Sequence, residues 1–324
     1  MGDLPEYSPM LARLGQLPPS AEDRLFGYEM KWDGARALGY VDGAALRLVS
    51  RNGLDVTAAY PELGRLPGAV RGNAVLDGEI VAFDEQGRPS FAALQPRIHQ
   101  RDPDRVAALA RSTPVSYLIF DVLHVNVTST IDLPYLERRD LLSRTVAAGE
   151  RWSVPPHSVG HGATAFRRSR ERLLEGVVAK RLASAYQPGR RSRDWVKVKN
   201  FRTQEVIIGG WRPGEGRRAD MIGSLLLGVY DDAGRLVYVG HVGTGFTDET
   251  LRDLAARLAP YERPDSPFED KVPLPHARDA RWVDPVLVGE VQYTEWTADG
   301  RLRHPSWRGL RPDKRPDQVR REEG

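Results

Sequence analysis

Apolar residues along this 324-residue chain fall into many short runs punctuated by Gly, Pro and Asp, with few stretches of helical spacing. The first clear pair, residues 35–41 and 44–49, is divided by Asp42-Gly43. Asp-Gly between two apolar runs is a strong hairpin signal. Lys31 then lies just before the first strand, and Ser50-Arg-Asn-Gly53 at the far end of the second. Runs at 74–83, 115–123 and 177–179 predict further strands. Residues 134–148 predict a helix with Pro134 in its first turn and Gly149 past its end. Residues 163–175 predict another, stopped by Gly176. Together these describe an α/β (α+β) domain with mixed sheets over residues 1–202.

The texture then changes. Short runs at 206–208, 225–230 and 236–239 are separated by glycine pairs, Gly209-Gly210 and Gly214-Glu-Gly216 among them, which read as turns. One helix follows, 247–258, with Thr247 as N-cap, Asp248 and Glu249 in its first turn and Pro260 as its stop. Another strand is expected at 286–291, ahead of a basic tail. A few strands and one helix over residues 203–324 suggest a small, partly open barrel of the oligonucleotide-binding (OB-fold) kind.

Composition narrows the class. At 40% hydrophobic and 28% charged the chain is an ordinary globular protein. It has no cysteine, which removes disulfides, thiolate zinc sites and thiol nucleophiles together. With no apolar run of spanning length and Asp3, Pro5 and Glu6 at the start, neither a membrane helix nor a signal peptide is expected, and a cytoplasmic monomer is the simplest reading. Net charge is only +3, yet residues 180–202 alone carry +7. Such a stripe suits a phosphate backbone, and equally a solvated basic face.

Only six of the 47 basic residues are lysine: Lys31, Lys180, Lys197, Lys199, Lys271 and Lys314. Arginine serves wherever charge suffices, so the remaining lysines are candidates for chemistry that requires losing a proton. A free lysine amine has a pKa near 10.4 and acts as a nucleophile only when desolvated or beside other cations. Arg36 and Arg51 could supply that charge or hold phosphate oxygens. By itself Lys31-Trp-Asp-Gly34 also fits a surface lysine before a turn. Strand alternation sets Glu79 opposite Leu76, Ile80 and Ala82, and puts Lys197 and Lys199 on one face with Val196 and Val198 on the other. Two lysines on one face repel unless an anion lies between them.

The ordered set of segments is more specific than any one. Lys31-Trp-Asp-Gly-Ala-Arg36, Ser50-Arg-Asn-Gly53, Leu76-Asp-Gly-Glu-Ile-Val-Ala-Phe-Asp84 and Tyr117-Leu-Ile-Phe-Asp-Val-Leu123 come first. Glu175-Gly-Val-Val-Ala-Lys-Arg181, Trp195-Val-Lys-Val-Lys199 and Arg303-His-Pro-Ser-Trp-Arg-Gly-Leu-Arg-Pro-Asp-Lys314 follow. In this order, over nearly the whole chain, they resemble the ATP-dependent DNA ligases, and closely the ligase modules of bacterial end-joining systems. Trp307 stands where that family usually has phenylalanine.

The resemblance implies a nucleotidyltransferase (adenylation) domain followed by an OB-fold domain, with ATP and Mg²⁺ or Mn²⁺ as cofactors. It makes Lys31 the nucleophile that takes AMP, Lys197 and Lys199 the contacts of the α-phosphate, and Glu79 and Glu175 the metal carboxylates. Glu29 and Phe120 would hold the adenine, Lys180 would be a further nucleotide contact, and Arg36 and Arg51 would lie near the ribose and 5′-phosphate. Arg311 and Lys314 would cover the pyrophosphate in the first step, about a hinge at residues 199–203. The implied partners are nicked duplex DNA and end-joining or repair proteins. An RNA ligase, a capping-type guanylyltransferase or a non-catalytic nucleic-acid binder on a decayed ligase fold are the rival readings; the 303–314 segment and the retained lysines and glutamates favour a DNA ligase. His157-x₃-His161 has zinc-like spacing, but the surrounding Pro155, Pro156, Gly160 and Gly162 place it in a loop.

Overall fold

The computed structural model describes residues 4–214 and 221–322. The chain divides into two compact units, one running to Asn200 and the other beginning at Phe201.

The first unit is built on two sheets. One runs in the order Leu11–Leu14, Arg191–Lys199, Gly176–Arg181, Phe26–Lys31, Ser158–Val159. Its pairings are antiparallel except for the edge strand Leu11–Leu14, which is parallel to its neighbour. The other runs Ala45–Ser50, Ala35–Asp42, Ala74–Ala82, Val115–Val125, Thr128–Ser129, with Trp152–Ser153 added in parallel to Val115–Val125. The predicted hairpin is present and turns at Gly43, whose φ of +58° suits a residue without a Cβ.

Burial explains the layering. Leu38, Tyr40, Val75 and Leu123 of the second sheet form one apolar cluster with Trp195 of the first and with Met10 and Tyr186. The outer face of the second sheet, including Leu76, Ile80 and Tyr117, packs under short helical turns carrying Leu63, Leu66 and Phe91. The outer face of the first sheet, Phe26, Tyr28, Val177, Ala179 and Val198, is covered by Ala165 of the helix Gly162–Glu171. The Ala74–Ala82 strand is therefore buried on both sides, and Asp77, within it, is fully buried.

Three sequence expectations change here. Lys31, expected just before the first strand, is itself the last residue of an earlier strand, Phe26–Lys31, which pairs with Gly176–Arg181. The helix expected over 134–148 is Tyr135–Thr145, with Pro134 as its cap. The helix expected to reach residue 175 ends at Glu171, because Leu173 adopts a left-handed backbone (φ +55°) and Leu174 N–H turns back to the Ser169 carbonyl. Leu173, and not Gly176, is where the helix is lost. This early stop leaves Glu175 immediately before the strand Gly176–Arg181 instead of at the end of a helix.

The second unit is an antiparallel sheet around the long strand Arg202–Pro213. One edge of that strand pairs with Ile222–Tyr230, which pairs with Leu236–Val242. Its other edge pairs first with Val288–Tyr293 and then with Arg281–Val283, so one strand serves two partners, as a partly open barrel requires. Ser306–Leu310 pairs with Val288–Tyr293. The helix Asp248–Leu258 is capped as expected, Thr247 Oγ1 accepting from Thr250 N–H at 3.1 Å, and buries Leu251, Leu254 and Leu258. Gly209-Gly210, expected as a turn, lies inside the strand. A Cβ at Gly209 would come within 2.4 Å of the Phe268 ring, and one at Gly210 within 2.9 Å of the Arg281 carbonyl, so these glycines allow close packing at a bulge. Of the turn expected at 214–216, Glu215 and Gly216 lie outside the described residues.

Candidate active site

Register across three strands assembles the site. Gly176 stands between Lys31 and Lys199, Val178 between Glu29 and Lys197, and Lys180 between Gly27 and Trp195. Directly opposed residues project to the same side of a sheet. One face therefore carries Glu29, Lys31, Lys180, Lys197 and Lys199, and the opposite face is the apolar surface under the Gly162–Glu171 helix.

Glu175 joins two of the lysines. Lys31 Nζ donates to its Oε2, and Lys199 Nζ lies 3.6 Å from its Oε1. The Glu175 backbone is fixed as well, its carbonyl accepting from Asn200 N–H at 2.8 Å. Gly176 allows this convergence: its φ is +150°, and a Cβ there would meet the Val198 carbonyl oxygen at 2.0 Å.

A second buried cluster lies two residues back along the Lys31 strand. Glu29 Oε2 is 2.7 Å from Lys180 Nζ, while Oε1 accepts from Tyr135 Oη at 2.7 Å and lies 3.7 Å from Arg139. Burial alone would raise the Glu29 carboxyl, but Lys180 and Arg139 outweigh it and hold the group below its usual range. Burial lowers the Lys180 ammonium despite its glutamate partner, and raises the Tyr135 phenol, with the Glu29 charge adding to the rise. The Phe120 ring is flanked by Lys180 Nζ at 4.5 Å and the Arg36 guanidinium at 4.8 Å.

The remaining candidates are placed as follows. Arg36 is held by a two-pronged pair with buried Asp77 (2.7 and 2.6 Å) and by the Met10 carbonyl, and Asp77 also accepts from Tyr186 Oη at 2.6 Å. Glu79 stands opposite Arg36 in the register, and its Cγ would lie 2.9 Å from a Cβ at Gly34. The Asp-Gly after Lys31 thus makes room for this carboxylate. Arg51 lies in the turn after Ala45–Ser50, and Lys197 opposite Val178. In the second unit, Arg311 forks onto Asp313 and reaches Glu290 at 3.1 Å, while Lys314 pairs with Glu205. Glu205 and Glu290 are themselves opposed across two strands.

The basic stripe of residues 180–202 does not form one surface. Lys180 is buried, Lys199 faces Glu175, and Arg181 pairs with Asp194 at 3.3 Å, leaving Arg190, Arg191, Arg193 and Arg202 exposed. In the tail, Arg301, Arg303, Arg308 and Arg315 each have a carboxylate partner. His157 packs edge-on against Tyr135, and no group of three potential metal ligands occurs among the described residues. No described helix is long and apolar enough to cross a membrane.

Sequence reasoning missed Tyr135, Arg139, Asp77, Glu205 and Glu290. Tyr135 and Arg139 are one helical turn apart, so their shared face was legible; their shared partner, Glu29, was not.

Comparison with known proteins agrees with this architecture. Residues 9–199 match the model of the ATP dependent DNA ligase domain, and residues 218–314 that of the ATP dependent DNA ligase C terminal region. The chain is 46% identical, over 97% of its length, to the multifunctional non-homologous end joining DNA repair protein LigD of Mycobacterium tuberculosis, covering 40% of that protein. It is 33% identical, over 96% of its length, to a DNA ligase of Thermococcus fumicolans, covering 57% of it. The chain thus spans well under two thirds of these curated relatives. The solved structure of mycobacterial DNA ligase D complexed with ATP and MES is 42% identical, with a TM-score of 0.70 and 98% of each chain covered. The fold is a nucleotidyltransferase domain of mixed sheets followed by an OB-fold domain. With family models matched over both units, the chain belongs to the ATP-dependent DNA ligases.

Proposed function

We propose that this protein seals 3′-hydroxyl/5′-phosphate nicks in duplex DNA at the expense of ATP, with Lys31 as the residue that carries AMP. The observation that carries the reading is the Lys31–Glu175–Lys199 cluster on one face of the three aligned strands. Glu175 first takes a proton from the Lys31 ammonium that already donates to it; the resulting amine attacks the α-phosphorus of ATP, a P–N bond forms, the bond to pyrophosphate breaks, and the departing pyrophosphate takes the second Nζ proton. Lys199, and Lys197 on the same face, are positioned to offset the charge that develops on the α-phosphate. The 5′-phosphate of the nick then displaces Lys31 from the phosphorus. The 3′-hydroxyl finally attacks the 5′-phosphorus, forming the phosphodiester and releasing AMP.

Glu79 and Glu175 are hard oxygen donors of the kind Mg²⁺ or Mn²⁺ takes, and substrate phosphates would have to complete the shell, since the described residues offer no third carboxylate or imidazole beside them. When bound, the cation screens phosphate charge during the displacement. Glu29, Phe120 and Lys180 form the nucleoside end of the pocket, with Arg36 behind Phe120 and Arg51 toward the nick. Arg311 and Lys314 are the proposed contacts of the pyrophosphate. The likeness to LigD makes end joining the proposed setting, with repair proteins as partners and the cytoplasm as compartment.

The test is transfer of label. The protein is incubated with α-labelled ATP and Mg²⁺ and denatured; label stays on the wild-type chain and is absent from Lys31→Ala. An unlabelled wild type, or a labelled Lys31→Ala, overturns the reading. Nicked DNA and nicked RNA offered separately then distinguish a DNA ligase from an RNA ligase.

A further inference from the structure

Glu29 lies two residues from Lys31 on the same strand face, so its carboxylate is set roughly 6.6 Å along the strand from the proposed nucleophile. That spacing places it beside the nucleoside and not beside the phosphates. A carboxylate has about four acceptor sites. Here Oε2 receives Lys180, and Oε1 receives the Tyr135 phenol with Arg139 behind it, which leaves acceptor capacity on each oxygen.

Tyr135 and Arg139 approach from one turn of the helix Tyr135–Thr145, a different element from the strands that carry Glu29 and Lys180. Arg139 reaches further: its two terminal nitrogens donate to the carbonyls of Phe120, at 3.0 Å, and Pro155. One buried guanidinium therefore ties the Glu29 carboxylate to the backbone of the aromatic residue across the pocket. The approach of Tyr135 needs Gly27, because a Cβ there would lie 2.7 Å from the Tyr135 ring.

We infer that Tyr135 and Arg139 are positioning residues that lock the Glu29 carboxylate in the orientation that accepts a hydrogen bond from the exocyclic amine of the purine. This inference rests on the reading of the site as the ATP pocket. Adenine offers a donor at that edge and guanine an acceptor, so a carboxylate held in place favours the first and repels the second. Removing the phenolic hydroxyl leaves the carboxylate charged and paired with Lys180, but with its Oε1 held only by the more distant Arg139. The loss then falls on the amine contact alone.

The experiment compares ATP with purine riboside triphosphate, which lacks the amine, in self-adenylylation of the full chain. Wild type is expected to prefer ATP. Tyr135→Phe is expected to raise KM for ATP about tenfold, the loss of one hydrogen bond to a charged group, with kcat and the KM for the analogue nearly unchanged. Arg139→Lys keeps a charge near Glu29 but removes the fork to two carbonyls, and should show the same selective loss. Tyr135→Phe added to Glu29→Gln should then cost nothing more. Equal losses with both nucleotides, no change with ATP, or a wild type indifferent to the amine each overturn the inference. A wild type that takes no label from ATP overturns the ligase reading as well, so the two failures are distinguishable.

Discussion

Lys31 and Lys199 both stand opposite Gly176, one on each flanking strand, and their ammonium groups converge on the two oxygens of Glu175. Two cations on one face of a sheet would repel, and the carboxylate between them resolves the conflict. It also places an acceptor on the very nitrogen that must lose a proton to act as a nucleophile. Lys31→Arg keeps the cation and its carboxylate partner but cannot shed the proton. It should fold with a stability within about 1 kcal/mol of wild type and take no label from ATP. Glu175→Gln should slow self-adenylylation by about 10² to 10⁴, the usual worth of a positioned base, as measured by quenched-flow labelling.

Gly176 has no substitute at its position. Its backbone is in the region open to glycine, and an added Cβ would lie 2.0 Å from a backbone oxygen that cannot rotate away. Gly176→Ala should cost about 1–3 kcal/mol of unfolding free energy, read from denaturant midpoints. Because the shift separates the three strands where Lys31, Glu175 and Lys199 meet, adenylylation should fall more than stability does.

Acid should act partly through Glu29. Lys180 and Arg139 hold its carboxyl below the ordinary glutamate value against the opposing effect of burial. A carboxyl depressed in the folded state stabilises the protein above the unfolded-state value near 4.3, and that contribution is lost as pH falls through the lower folded value. The urea midpoint of wild type should therefore drop more steeply below about pH 4 than that of Glu29→Gln.

DNA binding should depend on the arginines that remain exposed, and not on the whole basic stripe. Each phosphate neutralised contributes about −0.9 to the slope of log affinity against log salt. Replacing Arg190 and Arg193 by Ala should flatten the slope for nicked duplex by up to about 2, measured by anisotropy titrations at several salt concentrations. The buried Lys180 is not available for that contact, and its replacement should act on nucleotide binding instead.

Beside the pocket, Arg138 forks onto Asp121 with both side chains fully buried, at 2.8 and 3.1 Å. Asp121→Ala leaves a buried guanidinium without its counter-charge and should cost about 3–5 kcal/mol. Replacing both residues by apolar side chains of similar volume should restore much of that loss, which a double-mutant cycle in urea checks directly.

By itself the sequence determined the Asp42-Gly43 hairpin, the strands over 74–83 and 115–123, and the candidate lysines and glutamates of the site, but not Tyr135, Arg139 or Asp77. Those are local properties: an Asp-Gly turn, a period of two, and the scarcity of lysine all act within a few residues. Which groups meet was decided by the tertiary structure. Glu175 reaches Lys31 across 144 residues because the helix before it stops at Leu173, and nothing in the local pattern signalled a left-handed leucine. Lys180 counted both toward the basic stripe and as a nucleotide contact, and only the register set it beside Glu29 and under Trp195 and Phe120. Arg36, expected near phosphate, is anchored on Asp77, and Arg311 and Lys314 are held by carboxylates that strand pairing brings to them. Charge and face can be read from spacing along a chain; the partner of a buried charge depends on which distant strand lies opposite, and only the folded register fixes that.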